Sequence, residues 1–204
     1  MMCKIDNEIK NNVVNFLKDK NKVLDSVVYG VCPKDSYGTD IIKVPYLDLE
    51  VHFRIIVDDE TSIVVSHSIL DITELRKDYE TLMACAEKNT RAKLKITTLG
   101  EILGLPDMTY PPITVIANES NYNGASGILF EDIFKELCEK YGREKCYILP
   151  SSIHELLVYF PNDGDNKETF DAMVREVNKN EVRPEDRLAD HAYRYDLETN
   201  AIIY

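Results

Sequence analysis

Tryptophan is absent from the 204 residues, and glycine and proline number only eight each, which leaves no composition for a long flexible linker. No run approaches the roughly eighteen consecutive apolar residues of a bilayer-spanning helix, so no membrane partner is expected. The five cysteines, Cys3, Cys32, Cys85, Cys138 and Cys146, are odd in number, widely spaced and without a Cys-x-x-Cys pair. Neither a disulfide framework nor a zinc ribbon is indicated, and reduced thiols are expected. The opening Met-Met-Cys-Lys-Ile-Asp-Asn-Glu lacks an apolar signal core, which adds to the expectation of a cytoplasmic location. Basic residues are in the minority. With 24 Lys and Arg against 36 Asp and Glu, the net charge of −12 repels a phosphate backbone, so a nucleic-acid partner is not expected. The acidity reads either as solubility or as a surface that docks on a basic partner.

Histidine is scarce too. His52, His67, His154 and His191 include no pair at helical spacing, so neither a metal site nor a cofactor is expected. His154-Glu155 begins a zinc-peptidase pattern, but position 158 is valine where the second ligand would stand. No Gly-x-Ser-x-Gly elbow occurs, and Gly124-Ala-Ser-Gly127 is not followed by the Lys-Ser/Thr of a phosphate-binding loop.

What the chain does have is periodicity. Ile5, Ile9, Val13, Phe16 and Leu17 recur at helical spacing and predict an amphipathic first helix, a lid or a partner-facing element. Residues 24–31 form a β-branched run, and another begins at Ile41. Across residues 47–57, Leu47, Leu49, Val51, Phe53, Ile55 and Val57 share one face while Asp48, Glu50, His52 and Arg54 share the other, which should meet solvent or a partner. Asp58-Asp59-Glu60-Thr61 turns this strand into a second at residues 62–68. Asp71 with Glu74 suggests an acidic capping box for a helix over residues 72–88, with Leu75, Tyr79, Leu82, Met83 and Ala86 buried.

Residues 97–103 read as a short helical turn, and the Pro- and Gly-rich stretch 104–112 as a seam. Beyond it come a strand at 113–117 and an Asn-rich turn. Ser126 then N-caps a helix that buries Phe130, Ile133, Phe134, Leu137, Cys138 and Tyr141 and stops at Gly142. Strands at 145–149 and 153–160 follow, then a helix at 167–178 with Phe170, Met173, Val174 and Val177 inward, and a terminal hairpin through Tyr204. The expectation is an α+β fold of two packed halves, residues 1–104 and 105–204, each a mostly antiparallel sheet with helices on one face.

The succession Val44-Pro45-Tyr46-Leu47-Asp48-Leu49, Leu99-Gly-Glu-Ile-Leu103, Asn123-Gly-Ala-Ser-Gly-Ile-Leu129, Ile148-Leu-Pro-Ser-Ser-Ile-His-Glu155 and Pro184-Glu-Asp-Arg-Leu-Ala-Asp190 resembles an uncharacterised bacterial family, a domain of unknown function. The resemblance covers residues from about 24 to 204. It implies a host among Gram-positive gut bacteria, frequent association with mobile elements, and a shortened N-terminal region in which the first helix replaces a longer one. It brings no catalytic assignment.

Candidate chemistry gathers at the Pro150-Ser151-Ser152 corner. Cys146 offers a thiol nucleophile, His154 a base and Glu155 an orienting carboxylate, with Ser152 as an alternative nucleophile; strand alternation equally places Cys146 in the core. Binding candidates are His52 and Arg54 on the polar strand face, and Tyr193, Arg194 and Tyr195 beside His191 in the terminal hairpin. The leading expectation is a non-catalytic protein-interaction module. An anti-defence or DNA-mimic accessory protein of a mobile element or phage, and a small Cys/His hydrolase, are the alternatives. Composition and spacing fix neither the ligand nor the oligomeric state.

Overall fold

The structure, a computed structural model, describes residues 2–204 apart from 60, 108 and 121, and for residues 2–9 the backbone alone. Ile5, Ile9 and Glu60, invoked above for the first helix and the turn, therefore lie outside the described side chains or residues. Helix α1 (Met2–Leu17) carries the periodic residues but ends short of residue 20, where the periodicity predicts its stop, and its last turns dock: Leu17 is buried, with Val13 and Phe16 half-buried against the same cluster. Asp19 then caps α2 (Lys20–Ser26) by accepting from the Lys22 N–H. Residues 24–26, expected as strand, are thus the last turn of a helix, and strand β1 (Val27–Pro33) begins immediately after.

Strand β2 (Lys43–Tyr46) pairs with β3 (Leu49–Ile56) through a two-residue turn in which Leu47 holds φ 54°, a conformation the sequence does not announce. On one edge of β3 lies β1; on the other lie β2 and then β4 (Ser62–Val64), giving a four-stranded sheet. Helix α3 (His67–Ile72) is capped by Ser66, and a 3₁₀ turn at Leu75–Asp78 leads into α4 (Tyr79–Lys93). The expected cap at Asp71 does not form. Asp71 lies inside α3 paired with Arg76, and Glu74 breaks the helix at φ 57°. Leu70, Leu75, Leu82 and Ala86 close over Phe53 and Ile55, while Met83 is exposed.

Strand β5 (Leu94–Thr98), unforeseen because its five residues are short and partly polar, is followed by α5 (Leu99–Leu103), with Thr98 and Glu101 forming a capping box. Both lie within the first hundred or so residues, yet β5 pairs with β6 (Thr114–Asn118) at the edge of a second sheet. A 3₁₀ segment, Gly124–Leu129, buried from Gly124 to Ile128, precedes α6 (Glu131–Tyr141). Ser126 is inside that segment, its hydroxyl donating to the Asn123 carbonyl, so it caps no α-helix. Strands β7 (Lys145–Pro150) and β8 (Leu156–Tyr159), helix α7 (Lys167–Asn180), and strands β9 (Tyr193–Asp196) and β10 (Ala201–Ile203) complete the order β10-β9-β7-β8-β6-β5.

Every described strand pair in both sheets is antiparallel, so the α+β class holds. The six-stranded sheet carries a helix on each face, not on one. Cys146, Ile148, Val158, Tyr193 and Tyr195 pack with Phe134 and Leu137 of α6, whereas Tyr147 and Leu149 pack with Phe170 and Val174 of α7. The apolar stripe of α7 runs through Phe170 and Val174 to Asn178, which is buried and donates to the Ala189 carbonyl and to Asp190. Met173 and Val177, expected inward, are exposed.

Two hydroxyls tie the sheets together. Tyr46 Oη donates to the Ile128 carbonyl, and Tyr193 Oη of β9 donates at 2.7 Å to Oδ1 of Asp48 in the turn between β2 and β3. Burial, together with this carboxylate, holds the Tyr193 phenol well above its usual range and keeps the proton in place. Tyr193→Phe is expected to cost about 1–2 kcal/mol in urea denaturation; a loss below roughly 0.5 kcal/mol would show that the bond does not hold the sheets together.

Candidate functional site

The polar face of β3 is not solvated along its length. The loop after β1 folds over its first part: the Asp35 N–H donates to Glu50, Lys43 bridges Glu50 at 2.8 Å and the Tyr37 carbonyl, and the Tyr37 ring meets His52 edge-on. His52 is consequently 1% exposed, with neither ring nitrogen hydrogen-bonded. Burial first, then the charges of Arg54 and Lys43, lower its pKa to about 4.

Two residues further along, the same face opens onto a cleft of about 940 Å³ between the small sheet and the rim of the large one. One wall is Val28 of β1, Arg54 and Ile56 of β3 and Ser62 of β4; the other is the loop after β6, with Asn118, Tyr122 and Asn123. Register explains the first wall, since Arg54 stands opposite Val28 on one side and Val64 on the other. The second wall is shaped by Asn118, whose side chain bonds both the N–H and the carbonyl of Tyr122 and hydrogen-bonds Ser120.

Arg54 crosses the gap. Nη2 donates to Ser62 Oγ at 2.6 Å and to Tyr122 Oη at 3.4 Å, and the guanidinium lies 5.2 Å from the centre of the Tyr122 ring. Asp58, Asp59, Glu119 and Lys93 supply further charges around the cleft.

The Pro-Ser-Ser corner is organised differently from the sequence expectation. Cys146 is fully buried on the α6 face of β7, and its hydrogen bond with Cys138 together with burial pushes its thiol well above the usual range. His154 lies in the loop beyond Pro150, and four residues of strand, roughly 13 Å, separate Cys146 from that end of β7. His154 Nδ1 accepts from the Asn123 N–H and Nε2 faces Asp186 Oδ1, both at 3.3 Å, so the neutral ring carries its proton on Nε2. Ser152 Oγ accepts from the His154 N–H, and Ser151 donates to Glu155. The structure therefore brings Ser152, His154 and Glu155 into one loop but leaves Cys146 apart. That loop buttresses the cleft from behind, where the His154 ring packs on Tyr122.

In the terminal hairpin, Tyr193 and Tyr195 are buried against α6. Arg194 alone points to the other face, 3.9 Å from Asp196, so the three do not form one surface. Of the binding candidates, Arg54 alone reaches the cleft. Its neighbours Ser62 and Tyr122 escape sequence reasoning because the site draws on β3, β4 and the loop after β6, with no local motif. Among the described residues no cluster of three or more His, Cys, Asp or Glu could hold a metal ion, and no helix is long and apolar enough to cross a membrane.

A family model described as "Family of unknown function (DUF5688)" matches residues 2–197, and the chain belongs to that family. The match begins within α1, so the first helix lies inside the matched span. No curated protein and no solved structure matches the chain.

Proposed function

We propose that this member of the DUF5688 family is a non-catalytic binding module whose ligand occupies the cleft between the two sheets. The observation that carries this reading is the cleft itself, whose volume of about 940 Å³ is that of a small-molecule site and whose walls combine apolar side chains such as Val28, Ile56 and Leu94 with hydroxyls, amides and one buried cation. The groups suited to nucleophilic chemistry are engaged elsewhere: Cys146 with Cys138 in the core, and His154 with Asn123 and Asp186 behind the wall. This keeps a non-catalytic binding role but replaces the protein partner expected from the sequence with a small ligand, held in the cleft and not on the first helix or the terminal hairpin. On α4 and α7 acids alternate with bases, as in Glu87-Lys88 and Arg175-Glu176, and Asp171 pairs with Lys167. Such alternation offers no row of phosphate-like charges, which favours the module over a nucleic-acid mimic.

The test is a thermal-shift panel of amino acids, dicarboxylates, sugar phosphates and nucleotides at millimolar concentration. A true ligand at a hundredfold excess over its Kd adds about 2.7 kcal/mol, roughly 5–10 °C for a chain of this length. The same compound should not stabilise Thr61→Trp, whose indole would fill the cleft. A panel in which no compound raises the Tm would count against the reading.

A further inference from the structure

We infer that the ligand carries an oxyanion, a carboxylate or a phosphate, which is received by Arg54 together with the hydroxyls of Ser62 and Tyr122. The inference rests on the cleft reading and deepens it. Arg54 is only 8% exposed, and a guanidinium does not deprotonate under ordinary conditions. A buried charge is costly unless an opposite charge stands beside it. Yet in a chain where acids outnumber bases by 36 to 24, the partners of Arg54 among the described residues are two neutral hydroxyls and an aromatic face. Its Nε is buried without any hydrogen bond.

The hydroxyls are arranged to donate. Each already accepts a hydrogen bond from Arg54 Nη2, so the proton on Ser62 Oγ and the proton on Tyr122 Oη remain for a third group. Nη1 adds the two remaining guanidinium hydrogens of the outer fork. Three donors contributed by β3, β4 and the loop after β6 therefore meet in the cleft from both of its walls, a set that matches the lone pairs of a carboxylate or phosphate and leaves a neutral ligand with nothing to offset the charge. Asp58, Asp59 and Glu119 around the cleft disfavour a polyanion, which restricts the ligand to a compact molecule with one anionic group.

The experiment titrates the full-length ¹⁵N-labelled protein with acetate and, separately, inorganic phosphate at constant ionic strength, following the Arg54 side-chain signals and the amides of Ser62, Tyr122 and Asn123. A saturable shift of the Arg54 signal, with a Kd near the millimolar range, is expected for one of the two anions. The anion that saturates tells a carboxylate-bearing ligand from a phosphate-bearing one. Tyr122→Phe should weaken binding about three- to tenfold and Arg54→Met should abolish saturation. Circular dichroism reports whether Arg54→Met has folded; if it has not, the direct Arg54 signal and Tyr122→Phe decide. No saturable Arg54 response to either anion overturns the inference. In that event, amide shifts with an uncharged or cationic panel compound would leave the cleft as the binding site, whereas amides unmoved by every compound would remove the cleft reading as well.

Discussion

Gly124→Ala is expected to destabilise the protein by about 3 kcal/mol or more, lowering the Tm by roughly 6–12 °C. A methyl carbon at this position would stand 2.5 Å from the His154 carbonyl oxygen and 2.6 and 2.7 Å from Cα and C of Ala117. All three are backbone atoms, of β6 and of the loop before β8, so no side chain can rotate away. The segment they enclose, Gly124–Leu129, is the wedge between the sheets: Ala125 and Ile128 are fully buried, the Ala125 N–H donates to Ile153, and the Ile128 carbonyl receives Tyr46 from the small sheet. Moving the wedge would disturb the second wall of the cleft, since Asn123 directly precedes it. Ligand-induced stabilisation should therefore fall together with the Tm. Gly38→Ala is the control, because a methyl there meets open space; its effect should stay within about 1 kcal/mol. Equilibrium denaturation of the two variants decides the matter, and a loss below 1 kcal/mol at Gly124 would mean the wedge yields freely.

The sequence was most legible where one physical cause acts alone. Helix α6 follows from its apolar stripe and from Gly142, which ends it at φ 62°, and β7 and β8 follow from apolar runs on either side of a proline corner, although β8 begins at Leu156 and not at Ile153. It misled where two causes compete. Residues 24–26 read as the start of a strand, but Asp19 supplies the N-terminal cap and the neighbouring Val23 packs into the core as helix. On α7 the periodicity was right and its phase was not, because Asn178 satisfies its amide on Ala189 and Asp190 and so takes the inward place expected for Val177. Alternation on β3 separated the two faces correctly. What covers the polar face depends on residues distant in sequence, Tyr37 over His52 and Tyr122 over Arg54, and no local pattern encodes those contacts. For the same reason Arg54 was found as a residue while the cleft around it was not.

His52 gives the second large effect, and its sign follows from which state holds the proton. The ring is buried and has no hydrogen-bond partner, and its pKa falls from 6.5 to about 4 on folding. Between those values the unfolded chain binds a proton that the folded protein refuses, so stability falls as the pH drops from 6.5 toward 4 and this loss is complete below 4. The size is on the order of 3 kcal/mol. Carboxylates held low in the fold, Asp71 and Asp132 by hydrogen bonds from Arg76 and Arg91, lose their contribution only as the pH falls below about 4. The two windows are therefore separable. His52→Leu removes the titration together with two unsatisfied nitrogens, and should leave stability at pH 7.5 within about 1.5 kcal/mol of the natural protein. Its denaturation midpoint should then vary far less between pH 6.5 and 4. Gly30 makes this arrangement possible, since a methyl on it would stand 2.5 Å from His52 Nε2; Gly30→Ala should expel the ring and flatten the same pH window, at a cost of about 1–3 kcal/mol at neutral pH. Parallel pH profiles for the natural protein and His52→Leu would show that the imidazole is hydrated in the fold and carries no such penalty.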